Sequence, residues 1–154
     1  MPDPLVLSNG VQRVHIVTFG RQVQPRKRLD VSGGKPDDGT PIIQWDATDG
    51  ANQRFLVIPA GDQAVLIVTF SGRVLDIEYN GGAGARVWAW EANYGPAQRW
   101  LLEPAPGGAF VVANAARPEL VLDIGGADQS AGAPLCVWHR NGQPNQSFFF
   151  EETS

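Results

Sequence analysis

The stretch RLDVSGGKPDDGTPIIQWDATDGANQRF, residues 28–55, carries four marks in order: Asp30 at the end of a short apolar run, then Trp45, Gln53 and Phe55. The same four marks return twice. Asp76, Trp90, Gln98 and Trp100 form the second set, and Asp123, Trp138, Gln146 and Phe148 the third. The aspartates are 46 and 47 residues apart, each tryptophan follows its aspartate by 14 or 15 residues, and each glutamine follows its tryptophan by 8. Four positions recurring in three registers with at most one residue of drift define an internal repeat, and a repeat constrains the fold more than any single segment does.

Working outward, each repeat parses into four short apolar runs. The first is VHIVTF (14–19), AVLIVTF (64–70) and AFVVANA (109–115), and the second is RLDV (28–31), VLDI (74–77) and VLDI (121–124). The third is PIIQWD (41–46), RVWAWE (86–91) and PLCVWHR (134–140), and the fourth is RFLVIP (54–59), RWLLEP (99–104) and SFFFEE (147–152). The runs are rich in Val, Ile, Phe and Trp, and Gly, Pro, Asn and Asp cluster between them, which are the strand and turn signals of an antiparallel protein. Twelve strands in three four-stranded repeats are expected, at about 11–60, 61–106 and 107–152. Three propeller blades fall below the usual minimum of about four. The favoured architecture is therefore all-β, a β-trefoil with pseudo-threefold symmetry, formed by a single domain over residues 1–154.

Composition agrees. The chain of 154 residues has 43% apolar residues with 18 Gly and 12 Pro, which suits many short strands joined by tight turns. A length of this order supports one hydrophobic core. The net charge of -4 argues against nucleic acid or an anionic membrane as a partner. Cys136 is the single cysteine, so no intrachain disulfide forms, which fits a reducing compartment. MPDPLVLSNG lacks the pattern of a signal peptide and no apolar run reaches membrane-spanning length, so a cytoplasmic protein without membrane insertion is expected. The segment RQVQPRKRL (21–29) breaks the repeat; it reads as a charged, solvated loop and strand edge, with binding of sulphated or sialylated glycans as the sharper alternative.

Side-chain alternation sorts the repeated residues into core and surface. In the third run Ile42, Val87 and Leu135 share one face and Trp45, Trp90 and Trp138 the other, so an aliphatic core turns the tryptophans outward. Gln44 disturbs the phase, standing where the other repeats have Ala89 and Val137. In the fourth run Phe55 with Val57, Trp100 with Leu102, and Phe148 with Phe150 make an apolar face that belongs to the core. Gln53, Gln98 and Gln146 precede that face and suit bridging of backbone groups on neighbouring strands. The aspartates are open to two readings: caps of the turns that follow them, or acceptors for a ligand.

With these residues in view, the threefold LD-x, Trp, Q-x-W/F pattern resembles the ricin-type (R-type) lectin family, closest in form to small stand-alone fungal and bacterial members without disulfides. The resemblance covers residues 11–152 and implies a carbohydrate-binding module. It implies that the aspartate accepts hydrogen bonds from sugar hydroxyls, that the tryptophan stacks on the sugar ring and that the asparagine before the glutamine contributes an amide. On that basis the first site is Asp30, Trp45, Asn52 and Gln53. The third is Asp123, Trp138, Asn145 and Gln146, with His139 beside it. The second is Asp76, Trp90 and Gln98, and it ranks weakest because Ala97 replaces the asparagine. Ile43, Trp88 and Cys136 occupy the place where many galactose-binding members carry glutamine.

An aromatic platform opposite a carboxylate suits galactose or N-acetylgalactosamine, whose axial 4-hydroxyl leaves a continuous C–H patch on one ring face. The expected partners are galactoside-bearing glycoproteins or glycolipids, bound multivalently, with a homodimer among the possible assemblies and no cofactor or metal. Catalysis is not expected: no nucleophile–histidine signature is present, and His15, Cys136 and His139 lack zinc-ligand spacing. The alternatives are a protein-binding trefoil such as a protease inhibitor, and a structural or toxin-complex domain whose sugar sites have decayed.

Overall fold

The computed structural model describes residues 10–19 and 24–153. The first nine residues and Arg21 of the basic run lie outside the described residues. Among those described, twelve strands appear in the order the repeat predicts. The first repeat forms β1 (Gln12–Val17), β2 (Lys27–Val31), β3 (Thr40–Asp46) and β4 (Phe55–Pro59). The second forms β5 (Ala64–Val68), β6 (Val74–Ile77), β7 (Val87–Trp90) and β8 (Trp100–Pro104). The third forms β9 (Phe110–Asn114), β10 (Leu120–Ile124), β11 (Leu135–His139) and β12 (Phe149–Glu152).

All pairings are antiparallel, and they close on themselves. The first and fourth strands of the repeats run as a ring, β1–β4–β5–β8–β9, with β12 returning to β1. The last seam, between β9 and β12, is made by Phe110 and Phe148, whose amides each donate to the other's carbonyl at 2.8 and 2.9 Å. Closure removes the open sheet edges that would otherwise template aggregation. The second and third strands of each repeat form hairpins, β2–β3, β6–β7 and β10–β11, which meet at β3–β7 and at the bridges Ile43–Pro134 and Arg86–Cys136. A barrel capped by three hairpins is the β-trefoil.

The core sits where the expected apolar faces converge. Phe55, Trp100 and Phe148 are at most 1% exposed and join Leu29, Leu75 and Leu122 with Ile42, Val87 and Leu135 in one cluster. Burying each such side chain contributes roughly 1.5–3 kcal/mol relative to exposure. Trp100 also donates its indole N–H to the Leu75 carbonyl at 3.2 Å, so its one polar atom is satisfied inside the core.

Gln44, which broke the phase, is fully buried and fully bonded. Its oxygen accepts from the Thr18 hydroxyl at 2.8 Å, and its amide donates to the carbonyls of Asp128 and Ser130 at 2.7 and 2.9 Å. It ties the first repeat to the third. In the basic run, Arg26 pairs with Glu151, Lys27 with Asp46 at 2.9 Å, and Arg28 donates to the Thr48 carbonyl at 2.8 Å, so these three cations are engaged within the fold.

Candidate functional site

Each cap hairpin builds one version of the same cleft. The strand register sets its floor: Asp30 lies opposite Ile43, Asp76 opposite Trp88, and Asp123 opposite Cys136. Directly opposed residues share a face of the sheet, and the residue two further along the strand shares it too. Asp30, Ile43 and Trp45 therefore line one surface, as do Asp123, Cys136 and Trp138, and Asp76, Trp88 and Trp90.

The glutamines hold the cleft walls in place. Gln53 donates both amide hydrogens, to Asp30 Oδ2 and to the Asp46 carbonyl, each at 2.9 Å, while its oxygen accepts from the Thr48 amide at 2.8 Å. Gln146 does the same with Asp123 Oδ2 at 2.9 Å, the His139 carbonyl at 2.9 Å and the Asn141 amide at 3.0 Å. Gln98 donates to the Glu91 carbonyl at 3.0 Å and accepts from the Asn93 amide at 2.8 Å. All three glutamines are buried and pin the loop after each tryptophan, and the bonds of Gln53 and Gln146 also aim the carboxylates of Asp30 and Asp123. They position the site from below.

The asparagines differ between repeats. Asn52 donates to Asp30 Oδ1 at 3.0 Å and to the Val31 carbonyl at 3.2 Å. Asn145 is buried and donates to the Ile124 carbonyl at 3.2 Å. Ala97 has no such group. Its carbonyl instead accepts from Asn114 at 3.0 Å.

Burial shapes the charge on the aspartates. Asp30, Asp76 and Asp123 are at most 9% exposed, and desolvation raises the pKa of each above 3.8, opposed by hydrogen bonds that favour the ionised form. For Asp30 the opposing donors are Gln53 and Asn52; for Asp123 they are Gln146, Cys136 and Asn145; for Asp76 they are Trp88, Gln98 and the Ile77 amide. The Cys136 thiol lies 3.8 Å from Asp123 Oδ1, and burial, followed by the charge of Asp123, pushes its pKa up to about 12. It is a neutral donor at the cleft floor.

Trp45 and Trp138 are each 44% exposed and turn outward, as the alternation predicts. Each is seated on a glycine from another repeat: a Cβ on Gly132 would stand 3.7 Å from the Trp45 ring, and one on Gly84 would stand 3.5 Å from Trp138. Trp90 rests likewise on Gly39, with 3.7 Å to its ring. His139 is exposed and meets Trp138 edge to face at 5.6 Å. The third cleft is an open hollow of about 460 Å³, walled by Asp123, Cys136, Trp138, Asn141, Gln143 and Asn145 among others. Asn141, Gln143 and Gly84 are wall residues that the sequence pattern did not single out.

The second cleft departs from this plan. Trp88 stacks on Trp90 with centroids 4.8 Å apart and planes at 22°, and its indole N–H donates to Asp76 Oδ2 at 3.2 Å. Tyr79, 84% exposed with φ 52°, meets Trp88 edge to face at 5.0 Å, where the first and third repeats have Gly33 and Gly126. Trp90 is consequently half-buried, not a free outward platform.

Among the described residues no group of three His, Cys, Asp or Glu side chains is placed to hold a metal. What the first and third clefts offer is a buried carboxylate beside a half-exposed indole, a pairing suited to a ligand with hydroxyls on one side and an apolar face on the other.

Comparisons with known proteins follow the same line. The family model described as a ricin-type beta-trefoil lectin domain-like matches twice, over residues 9–78 and 65–138. No curated protein sequence matches the chain. Among solved structures, the designed three-fold symmetric protein ThreeFoil is 26% identical with a TM-score of 0.85, over 92% of this chain and 99% of that one. The C-half of the earthworm R-type lectin, solved with GalNAc, is 25% identical with a TM-score of 0.70, over 92% and 99%. The Macrolepiota procera ricin B-like lectin, solved with lactose, is 23% identical with a TM-score of 0.76, over 92% and 96%. The chain belongs to the ricin-type β-trefoil lectin-like domain family.

Proposed function

We propose that the protein is a multivalent lectin that binds terminal galactose or N-acetylgalactosamine at its first and third repeats. Asp30, Trp45 and Asn52 make the first site, and Asp123, Trp138 and Asn145 the third, with Gln53 and Gln146 holding the carboxylates. The observation that carries this reading is the repeated pairing of a buried aspartate with an outward tryptophan across one hairpin face. The indole takes the C–H face of a pyranose, and the ionised carboxylate accepts from its hydroxyls by charge-assisted bonds. The axial 4-hydroxyl of galactose leaves the C–H patch that such a platform favours. Membership of the lectin-like family and the GalNAc complex of the earthworm relative support the same sugar class.

Binding is the whole activity on this reading, with no catalytic step. A single shallow site of this kind binds with Kd on the order of 0.1–1 mM. A glycan array and calorimetric titration with lactose and N-acetylgalactosamine test the proposal. Trp45→Ala and Asp30→Asn each remove the first site while circular dichroism and Tm stay near those of the parent. Absence of binding to every galactoside on the array refutes the reading.

A further inference from the structure

We propose that the second cleft is occupied by the protein itself, with Trp88 as a built-in surrogate for the ligand, so that the molecule is bivalent. This rests on the reading of the first and third clefts as sugar sites. A bound pyranose in those clefts would lie over Ile43 or Cys136, stacked on the tryptophan and donating to the aspartate. Trp88 meets both requirements from within the chain. Its ring stacks on Trp90 at 4.8 Å and 22°, and its N–H donates to Asp76 Oδ2 at 3.2 Å. It stands at the floor position, directly opposite Asp76 in the β6–β7 register.

Independent features agree. Tyr79 covers Trp88 edge to face at 5.0 Å, at a turn position that is glycine in the other two repeats. The hollow left near this hairpin is lined by Asn80, Asn93, Gly95, Pro96, Ala97, Ala116 and Arg117, without Asp76 or Trp90, whereas the third hollow includes both Asp123 and Trp138. Arg117 walls that hollow and is fixed by donating to the carbonyls of Asn80 and Gly81 at 2.9 and 2.6 Å. An occupant tethered to the same strand acts at an effective concentration of roughly millimolar or more. A free sugar at this cleft has to compete with that tethered ring, so at lactose concentrations that fill the first and third clefts the second stays behind them.

The test uses the full chain with ¹⁵N-labelled tryptophan, whose five indoles give separate N–H signals. On titration with lactose, the Trp45 and Trp138 signals shift and saturate while those of Trp88 and Trp90 stay. Saturable shifts of Trp88 and Trp90 in the parent protein overturn the proposal. The variant Tyr79→Gly/Trp88→Ile/Ala97→Asn copies the first site's Gly33, Ile43 and Asn52, and its Trp90 signal then follows lactose like the other two. A folded variant whose Trp90 still ignores the sugar counts against the proposal.

Solvent exchange of the Trp88 indole hydrogen separates this inference from the lectin reading and needs no sugar. It exchanges more slowly than that of Trp45 and speeds up in Asp76→Ala; exchange as fast as Trp45 in the parent overturns self-occupation. If no indole shifts with lactose or N-acetylgalactosamine, the sugar assignment fails, and the exchange measurement alone decides whether Trp88 fills the cleft.

Discussion

At the scale of single residues, the carboxylate of Asp123 serves binding at the expense of stability. Burial raises its pKa above 3.8, so on lowering the pH the native state takes up the proton before the unfolded chain does. The stability contributed by this raised pKa is fully present below 3.8 and is lost as the pH rises through the native value. Sugar binding has the opposite sign, because protonation removes the charged acceptor. Galactoside affinity is therefore expected to fall, as pH is lowered, at a higher pH than an ordinary aspartate would give; NMR titrations across the acid range measure this. Asp123→Asn loses the third site, while its Tm at pH 7 is no lower than the parent's. The nearby thiol supplies a second check: with its pKa at about 12, Cys136 reacts with iodoacetamide at pH 8 more slowly than free cysteine, and Asp123→Asn quickens it by removing the negative charge. Alkylation at the rate of free cysteine would contradict the burial argument.

At the scale of elements, the hairpins depend on glycines that belong to their neighbours. Gly39, Gly84 and Gly132 have φ of 86°, 92° and 94°, and each stands beneath a tryptophan of another repeat. Gly84→Ala adds a Cβ that fits beside Trp138 at 3.5 Å but strains the left-handed backbone, a cost of about 1–2 kcal/mol. The expected outcome is a lower Tm together with weaker binding at the third site, although residue 84 belongs to the second repeat; unchanged third-site affinity would show that the seat does not aim the indole. The strands themselves were legible in the sequence because alternation and turn residues are local signals, and the twelve runs match the twelve strands closely. The seats were not. Each glycine recurs six residues before a tryptophan, at 39 and 45, 84 and 90, and 132 and 138, yet its ring partner lies in a different repeat. The role of Trp88 was hidden for a related reason: its position on the Trp90 face follows from period two, but its turn onto Asp76 is a choice of side-chain rotamer.

At the scale of the whole molecule, the repeat made the trefoil readable, because twelve strands in three sets of four leave few ways to close a sheet. Gln44 was visible only as a fault in the pattern, since its partners Asp128 and Ser130 are more than 80 residues away. Gln44→Ala leaves the Asp128 carbonyl and the Thr18 hydroxyl without a partner, at about 1–3 kcal/mol for each group that stays dry, while the Ser130 carbonyl keeps the Ala133 amide at 3.3 Å. The consequence for function lies in how the first and third clefts act together. Two sites fixed on one rigid barrel bind a dense glycan surface more tightly than either alone, by a factor of about 10². Trp45→Ala should therefore keep the third site's affinity for free lactose yet lose about 10² in retention on a surface densely coated with lactose, and Trp138→Ala should mirror it. Surface plasmon resonance at high and low lactose density separates the two quantities. Equal retention of parent and single-site variants on the dense surface would mean that only one cleft engages at a time, and the repetition would then serve the fold alone.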